Sequence, residues 1–369
     1  MKRISIMIKP ASALCNMRCK YCFYANVSDL RQVQSYGIMS QDTVKTVLKN
    51  IRIDLERGDH ITFAFQGGEP TLAGLEYFRY FVSLVKKWQR EIKVSFALQT
   101  NGLGLNDEWC EFLRQNHFLV GISLDLLPLW HDDVRVDEKE NGTFNRVMEA
   151  IDLLKKHQVE YNILCTLTEN IARHPQKAWK AILKYDFKWV QFTPCLDELN
   201  HVGGNPYALK PEWFASFYIQ LFSCWYQDFQ RGDYRSIKLF DDIVNYLTDG
   251  LPTACGMGGK CQPQLIIEAD GSVYPCDFYC LDEFKLGDFK ELTLKELFQL
   301  SLDSPSKKSE TGVLCQNCLF LRFCGGGCKR MRSEVCFTDT GEKCGMQTFL
   351  QYCMKDFTDI AKLQMACRK

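Results

Sequence analysis

The chain has 369 residues, 46% of them apolar, which suits one large domain plus a smaller one around a sizeable core. Lys+Arg and Asp+Glu both count 45, so a zero formal net charge offers no bulk attraction to nucleic acid or an anionic membrane. Nineteen cysteines would mark a disulfide scaffold in a small secreted protein. Here three lie near the start, four are scattered singly to Cys224, and twelve fall from Cys255 onward. The apolar run after Met1-Lys2-Arg3 is too short for a signal peptide, and no uncharged apolar stretch spans a membrane. Metal-bound thiolates in a reducing cytoplasm are therefore expected, with no nucleic-acid or membrane partner.

In chain order, Ser5–Ile8 predicts the first strand, and a C-x3-C-x2-C run follows it: Cys15, Cys19 and Cys22 in CNMRCKYCFY. Three thiolates on one tight loop can hold three irons of a 4Fe–4S cube and leave the fourth iron open to a substrate. A zinc knuckle or a fully ligated structural cluster is the competing reading. Both want a fourth ligand nearby, and the next candidates are His60 and Cys110. Further strands are predicted over Ile61–Phe65, Lys93–Leu98, Leu119–Leu124, Tyr161–Leu167 and Trp189–Thr193. Helices are predicted between them over Gln41–Leu55, Gly74–Arg90, Asp107–Gln115, Phe144–His157 and Gln176–Tyr185, with Ser40 and Asn106 as N-caps. A βα period of about 30 residues predicts an α/β fold, a partial (β/α)6 TIM-type barrel with its sites at the carboxyl ends of the strands. CNMRCKYC, GGEP and QTNG each directly follow a strand candidate, so they belong at one end.

Asp197 to Pro211 reads as a loop, followed by helices over Glu212–Gln230 and Ile237–Leu247. Gln264–Ile267 and Ser272–Tyr274 flank Asp270-Gly271 as a hairpin, and Thr293 with Glu296 forms a capping box. The expected division is residues 1–235 for the barrel with its following helix and 236–369 for a cysteine-rich module of hairpin and short helices.

The first motif strongly resembles the radical SAM enzymes, in which S-adenosylmethionine chelates the open iron. Gly67-Gly68-Glu69-Pro70 completes that resemblance. Glycines let the backbone approach a ligand closely. The family uses this run against the amino group of the methionine moiety. Tyr21 lies in the cluster loop and can pack against adenine, its plainer reading being a core aromatic. By the same resemblance, Ser123 and Arg135 contact the ribose and carboxylate of the nucleoside ligand, and Leu196 lines the adenine pocket. The C-terminal cysteines resemble the SPASM module over residues 254–353, which carries two auxiliary 4Fe–4S clusters. That pattern assigns Cys255, Cys261, Cys276 and Cys328 to auxiliary cluster I, and Cys315, Cys318, Cys324 and Cys353 to auxiliary cluster II. Paired zinc-ribbon sites are the alternative. The other eight cysteines (Cys110, Cys165, Cys195, Cys224, Cys280, Cys336, Cys344 and Cys367) read as buried small hydrophobes. Cys280, Cys336 and Cys344 lie near enough in sequence to exchange with the ligands.

The runs IKPASALCNMRCKYCFY, FAFQGGEPTLAG, LQTNG, ILCTLTENIARH, QFTPCL and GSVYPCDFY resemble the anaerobic sulfatase-maturating enzymes. That resemblance implies a radical SAM oxidoreductase that oxidises a cysteine or serine of a sulfatase to Cα-formylglycine. A 5′-deoxyadenosyl radical abstracts hydrogen from Cβ, Asp277 takes the side-chain proton, and the second electron leaves through auxiliary cluster I. Tyr24 and Gln66 line the substrate site. The implied partners are an extended or unfolded sulfatase polypeptide and a flavodoxin- or ferredoxin-type reductant. A ribosomal-peptide maturase forming thioether or carbon–carbon crosslinks is the alternative. The chain departs from the family's Ser-Leu-Asp-Gly-Pro at Ser123-Leu124-Asp125-Leu126-Leu127-Pro128. Leucine tolerates positive φ poorly, so this turn is expected to follow another path.

Overall fold

The computed structural model describes residues 2–251, 253–259, 261–305, 313–337, 341 and 343–368. Its strands are β1 (Arg3–Ile8), β2 (Met17–Cys19), β3 (His60–Phe65), β4 (Lys93–Thr100), β5 (Phe118–Ser123), β6 (Arg135–Asp137), β7 (Tyr161–Leu167), β8 (Trp189–Pro194), β9 (Ser236–Ile237), β10 (Leu265–Ile267), β11 (Ser272–Tyr274) and β12 (Gly287–Asp288). The principal helices are α1 (Phe23–Asp29), α2 (Gln41–Ile53), α3 (Leu75–Val85), α4 (Asp107–Gln115), α5 (Phe144–Lys156), α6 (Pro175–Lys184), α7 (Pro211–Gln230), α8 (Lys238–Asp249), α9 (Leu294–Asp303) and α10 (Gly345–Cys367). Ser40 and Asn106 cap α2 and α4, accepting from the Thr43 and Trp109 amides, and the Thr293–Glu296 capping box starts α9.

The chain forms two compact units, neither contiguous in sequence. The first comprises residues 1–123, 132–161 and 263–308. In it β1, β3, β4 and β5 run parallel, with Ile8 opposite Phe65, Phe65 opposite Leu98 and Thr100 opposite Ile122. That register ends the four strands at one edge, and the loops after them carry the cysteine run, GGEP, the Asn101-Gly102 end of QTNG, and Leu124. Alternate strand residues Phe63, Phe65, Phe96 and Phe118 pack with Phe78 and Phe81 of α3. Such ring pairs each contribute about 1 kcal/mol beyond burial. The hairpin β10–β11 adds to the other side of β1, with Ile8 opposite Ile267 in parallel. Its turn spans Glu268–Gly271, and β12 extends it, a strand that residue periodicity did not reveal.

The second unit comprises residues 124–131, 162–262 and 309–369. There β8 pairs in parallel with β7 and β9. An aromatic core joins α7, α8 and α10: Phe222 meets Phe357 at 4.7 Å and Phe240 at 5.5 Å, and Tyr218 meets Phe349 at 5.5 Å.

The turn after β5 corrects the expectation for Leu126. It does not avoid the glycine conformation: Leu126 sits at φ 58°. Its side chain is fully buried, and the turn is held by a Leu127 amide bond to the Asp125 carbonyl and by the Thr166 amide donating to Asp125 Oδ1. Burial of a leucine contributes about 2–3 kcal/mol, which outweighs a left-handed penalty of about 1–2 kcal/mol.

Candidate active site

Loop 9–22 is shaped by GGEP. The Gly68 amide donates to the Ser12 carbonyl at 2.9 Å and the Glu69 amide to the Leu14 carbonyl at 2.7 Å. A Cβ on Gly68 would stand 2.1 Å from the Leu14 oxygen, so only glycine fits. Gly67 has φ 119° against Lys9 and Ser12. Glu69 is buried and braces its neighbours. Its Oε1 accepts from the Thr71 amide, the Thr71 hydroxyl and the Thr100 hydroxyl, and its Oε2 accepts from the Asn101 amide at 2.7 Å. Burial raises its pKa. The Asn101 side chain donates to Asn16 Oδ1 at 2.8 Å, tying QTNG to the cysteine run.

Cys15, Cys19 and Cys22 are half-buried cysteines on this loop, none of them in a disulfide. Burial pushes the Cys15 thiol up to about 11, against a hydrogen bond from the Met17 amide. The donor set is soft and fits one iron per thiolate of an open-cornered cube, and iron's charge is what would deprotonate Cys15. No three Cys, His, Asp or Glu side chains among the described residues converge on a single-ion site. Beside the loop, β2 pairs with β6 so that Cys19 lies opposite Arg135, whose guanidinium stands 5.3 Å from the Tyr21 ring. Ser123 closes β5, in the same unit. Leu196 is buried after β8, in the second unit.

Asp277, Tyr24 and Gln66 come together in the first unit. The Tyr24 hydroxyl donates to Asp277 Oδ2 at 2.5 Å, and Gln66 Nε2 lies 3.0 Å from both Asp277 Oδ2 and the Tyr24 oxygen. Asp277 is 8% exposed and opens a helical turn directly after Cys276. Burial, then the Asp277 charge, raises Tyr24 well above the usual tyrosine range, so it stays a donor. Sequence reading missed Lys9, whose Nζ lies 3.1 Å from Asp277 Oδ1. Its position in the IKPAS run before the cysteines was the available signal.

The C-terminal cysteines divide between the units. In the second, Gly256 and Gly259 let two backbones touch: their Cβ atoms would stand 2.8 Å from Cys328 Cβ and 2.2 Å from the Gly325 oxygen. That packs the segment of Cys255 and Cys261 onto the segment of Cys328. Cys276 follows β11 in the first unit. A separate pocket in the second unit is lined by Cys315, Cys318, Cys324, Cys336 and Cys344.

Cys353, expected as the fourth ligand of auxiliary cluster II, is not among the residues that line that pocket. It falls on the α10 stripe with Phe349 and Phe357, fully buried, and burial pushes its thiol up to about 12. Cys344 stands at the N-cap of α10 instead. A hydrogen bond from Cys336 leads the interactions holding its thiol down to about 6. Of the other cysteines expected to be buried, Cys110, Cys165, Cys195, Cys280 and Cys336 are, whereas Cys224 is half-buried and Cys367 exposed.

Comparison with known proteins identifies the family. Residues 10–175 match the radical SAM superfamily and residues 255–319 the SPASM iron-sulfur cluster-binding domain. The cysteine-type anaerobic sulfatase-maturating enzyme of Clostridium novyi (strain NT) is 40% identical over 364 residues, covering 98% of this chain and 97% of that one. This chain belongs to the anaerobic sulfatase-maturating enzymes. A solved structure of polyhistidine-tagged anSMEcpe with bound AdoMet superposes with a TM-score of 0.89 at 38% identity, covering 100% of this chain and 98% of that one. Native anSMEcpe with bound AdoMet and Cp18Cys peptide gives 0.86 at 38% identity, covering 98% and 99%. As an anaerobic sulfatase-maturating enzyme, the chain combines a parallel-stranded radical SAM fold with a SPASM module, and uses S-adenosylmethionine with iron-sulfur clusters.

Proposed function

We propose that this radical SAM oxidoreductase converts a cysteine of a sulfatase polypeptide to Cα-formylglycine, with Asp277 as the proton acceptor. The observation that carries this is the Asp277–Tyr24–Gln66 cluster, a buried carboxylate held by two neutral donors one residue after Cys276. Cys15, Cys19 and Cys22 would hold the first cluster. Tyr21, Gly67, Gly68, Glu69, Ser123, Arg135 and Leu196 would form the S-adenosylmethionine site. Cys255, Cys261, Cys276 and Cys328 would hold auxiliary cluster I, and Cys315, Cys318, Cys324 and Cys344 auxiliary cluster II. When bound, these groups supply a 5′-deoxyadenosyl radical that takes one hydrogen atom from the substrate Cβ, and an acceptor for the second electron.

The residues do the remaining work. Asp277 accepts the thiol proton, breaking S–H and forming O–H. Tyr24 and Gln66 fix the carboxylate during that transfer. Water hydrolyses the resulting thioaldehyde to the aldehyde and hydrogen sulfide. The polypeptide would bind extended, with backbone contacts supplying much of the affinity. Residues 1–235 would serve the radical chemistry and 236–369 the auxiliary clusters. A flavodoxin- or ferredoxin-type protein would be the reductant, in the cytoplasm. Among the described residues no helix is long and apolar enough to cross a membrane.

Asp277→Asn tests the reading. With a Cys-x-Pro-x-Arg peptide under anaerobic conditions, S-adenosylmethionine cleavage should survive while aldehyde formation falls about a hundredfold or more. Unchanged aldehyde yield removes Asp277. Loss of two hydrogens without aldehyde in the native enzyme identifies a crosslinking maturase instead.

A further inference from the structure

Lys9 ends in a buried site that the reaction above leaves unexplained. The residue is 3% exposed. Its Nζ lies 3.1 Å from Asp277 Oδ1, 3.8 Å from Glu268 Oε1 and 3.3 Å from Cys280 Sγ, 4.8 Å from the Tyr24 ring centre. Burial opposes its charge, yet the surrounding groups outweigh burial and its pKa is raised. Cys280 is held as a thiol, pushed up to about 12 by its own burial. The carboxylates that face the ammonium are Asp277 and Glu268.

Glu268 is in turn held by Arg31, 2.6 Å from Oε1, and by the Ser12 hydroxyl, 2.8 Å from Oε2. The result is a buried chain of alternating charge: Arg31, Glu268, Lys9, Asp277. Burying ions costs several kcal/mol each, and such chains are poor sources of stability. This one ends on the proposed base.

The two oxygens of Asp277 are unequal. Oδ2 accepts from Tyr24 and Gln66. Oδ1 is sealed from solvent and lies 3.1 Å from the Lys9 ammonium. An ionic contact on the inner oxygen stops the carboxylate rotating about its Cβ–Cγ bond. It leaves Oδ2 as the oxygen offered to a ligand on the Tyr24 and Gln66 side.

We propose that Lys9 is a positioning residue for the oxidation: it pins Oδ1 so that Oδ2 receives the substrate proton, with Glu268 and Arg31 holding Lys9 in place. The proposal rests on Asp277 being the base. In the transfer the substrate S–H bond breaks and an Oδ2–H bond forms. Lys9 keeps its proton, and Glu268 remains beside it, with Oε1 3.8 Å from Nζ.

The test compares Lys9→Met, Lys9→Arg and Asp277→Asn in the anaerobically reconstituted full chain, with a cysteine-containing sulfatase peptide. The ratio read is formylglycine formed per 5′-deoxyadenosine released. Iron content, peptide Kd and melting temperature are measured alongside. In Lys9→Met the ratio should fall about tenfold or more, with iron content unchanged and peptide Kd within about twofold. Lys9→Arg should recover most of it. If Lys9→Met does not fold, Glu268→Gln, which releases Lys9 from its outer partner, should lower the same ratio. An unchanged ratio in Lys9→Met overturns the proposal. So does an equal loss of both products, with a lowered melting temperature and no recovery in Lys9→Arg. Coupling intact in Asp277→Asn would sink the reading of the base itself. Coupling lost in Asp277→Asn but kept in Lys9→Met would sink only the role of Lys9.

Discussion

The Tyr24 hydroxyl lies 2.5 Å from Asp277 Oδ2, joining the end of the cysteine loop to a residue 253 positions later. Because burial and the Asp277 charge raise Tyr24 so far, the phenol donates across any practical assay pH.

Replacing Tyr24 with Phe removes one donor and keeps the ring beneath Lys9. A hydrogen bond to a charged group is worth about 1.5–3 kcal/mol, so formylglycine formation should drop about ten- to hundredfold. The amount of 5′-deoxyadenosine released should change much less, and chromatography of both products checks this. A proportional fall in both would place Tyr24 outside the proton-transfer step.

Metal content separates Cys344 from Cys353. Three clusters amount to about twelve irons per chain. Cys344→Ala should lose about four of them or leave a three-iron signal. Cys353→Ala should keep the full count and lose only about 1 kcal/mol of stability, as expected of a small buried hydrophobe. Elemental analysis with electron paramagnetic resonance decides between them.

Before cluster assembly, Cys344 should behave as a thiolate at neutral pH. Its folded pKa of about 6 lies below the usual 9.0. A depressed acid favours the folded state above its unfolded pKa, and that contribution is lost as pH falls from about 9 through about 6. Alkylation of cluster-free protein, followed by peptide mapping, should show Cys344 labelling with a midpoint near 6. A midpoint near 9 would contradict the hydrogen bonding from Cys336 and the Gln347 amide.

Leu126→Gly returns the family's residue to a left-handed position. Relief of backbone strain contributes about 1–2 kcal/mol, but truncating a fully buried leucine costs about 2–5 kcal/mol. The variant should therefore be less stable, by about 1–3 kcal/mol, in urea denaturation. A gain in stability would show that the leucine is tolerated rather than required.

Features that depend on neighbouring residues were legible from the chain alone. The six principal strands followed from short apolar runs, and the caps at Ser40, Asn106 and Thr293 from local hydrogen-bonding chemistry. Cys15, Cys19 and Cys22 share eight residues, so their spacing already implies one loop and one cluster. Other features required partners distant in sequence. Lys9 and Cys280 are 271 residues apart, and no periodicity announces their contact. The side of α10 that faces its aromatic core put Cys353 among hydrophobic neighbours and left Cys344 at the helix start, beside the pocket. The bare count of cysteines carries no information about that rotation.

Residue order by itself determined the elements, the three-cysteine loop and the family to which the chain belongs, because each rests on spacing within a few turns of backbone. Tertiary structure alone decided which cysteines line the second pocket, how Leu126 holds a left-handed turn, and that a lysine closes on Asp277. Those outcomes depend on burial and on charges brought together from distant segments, and such energies exist only once the chain has folded.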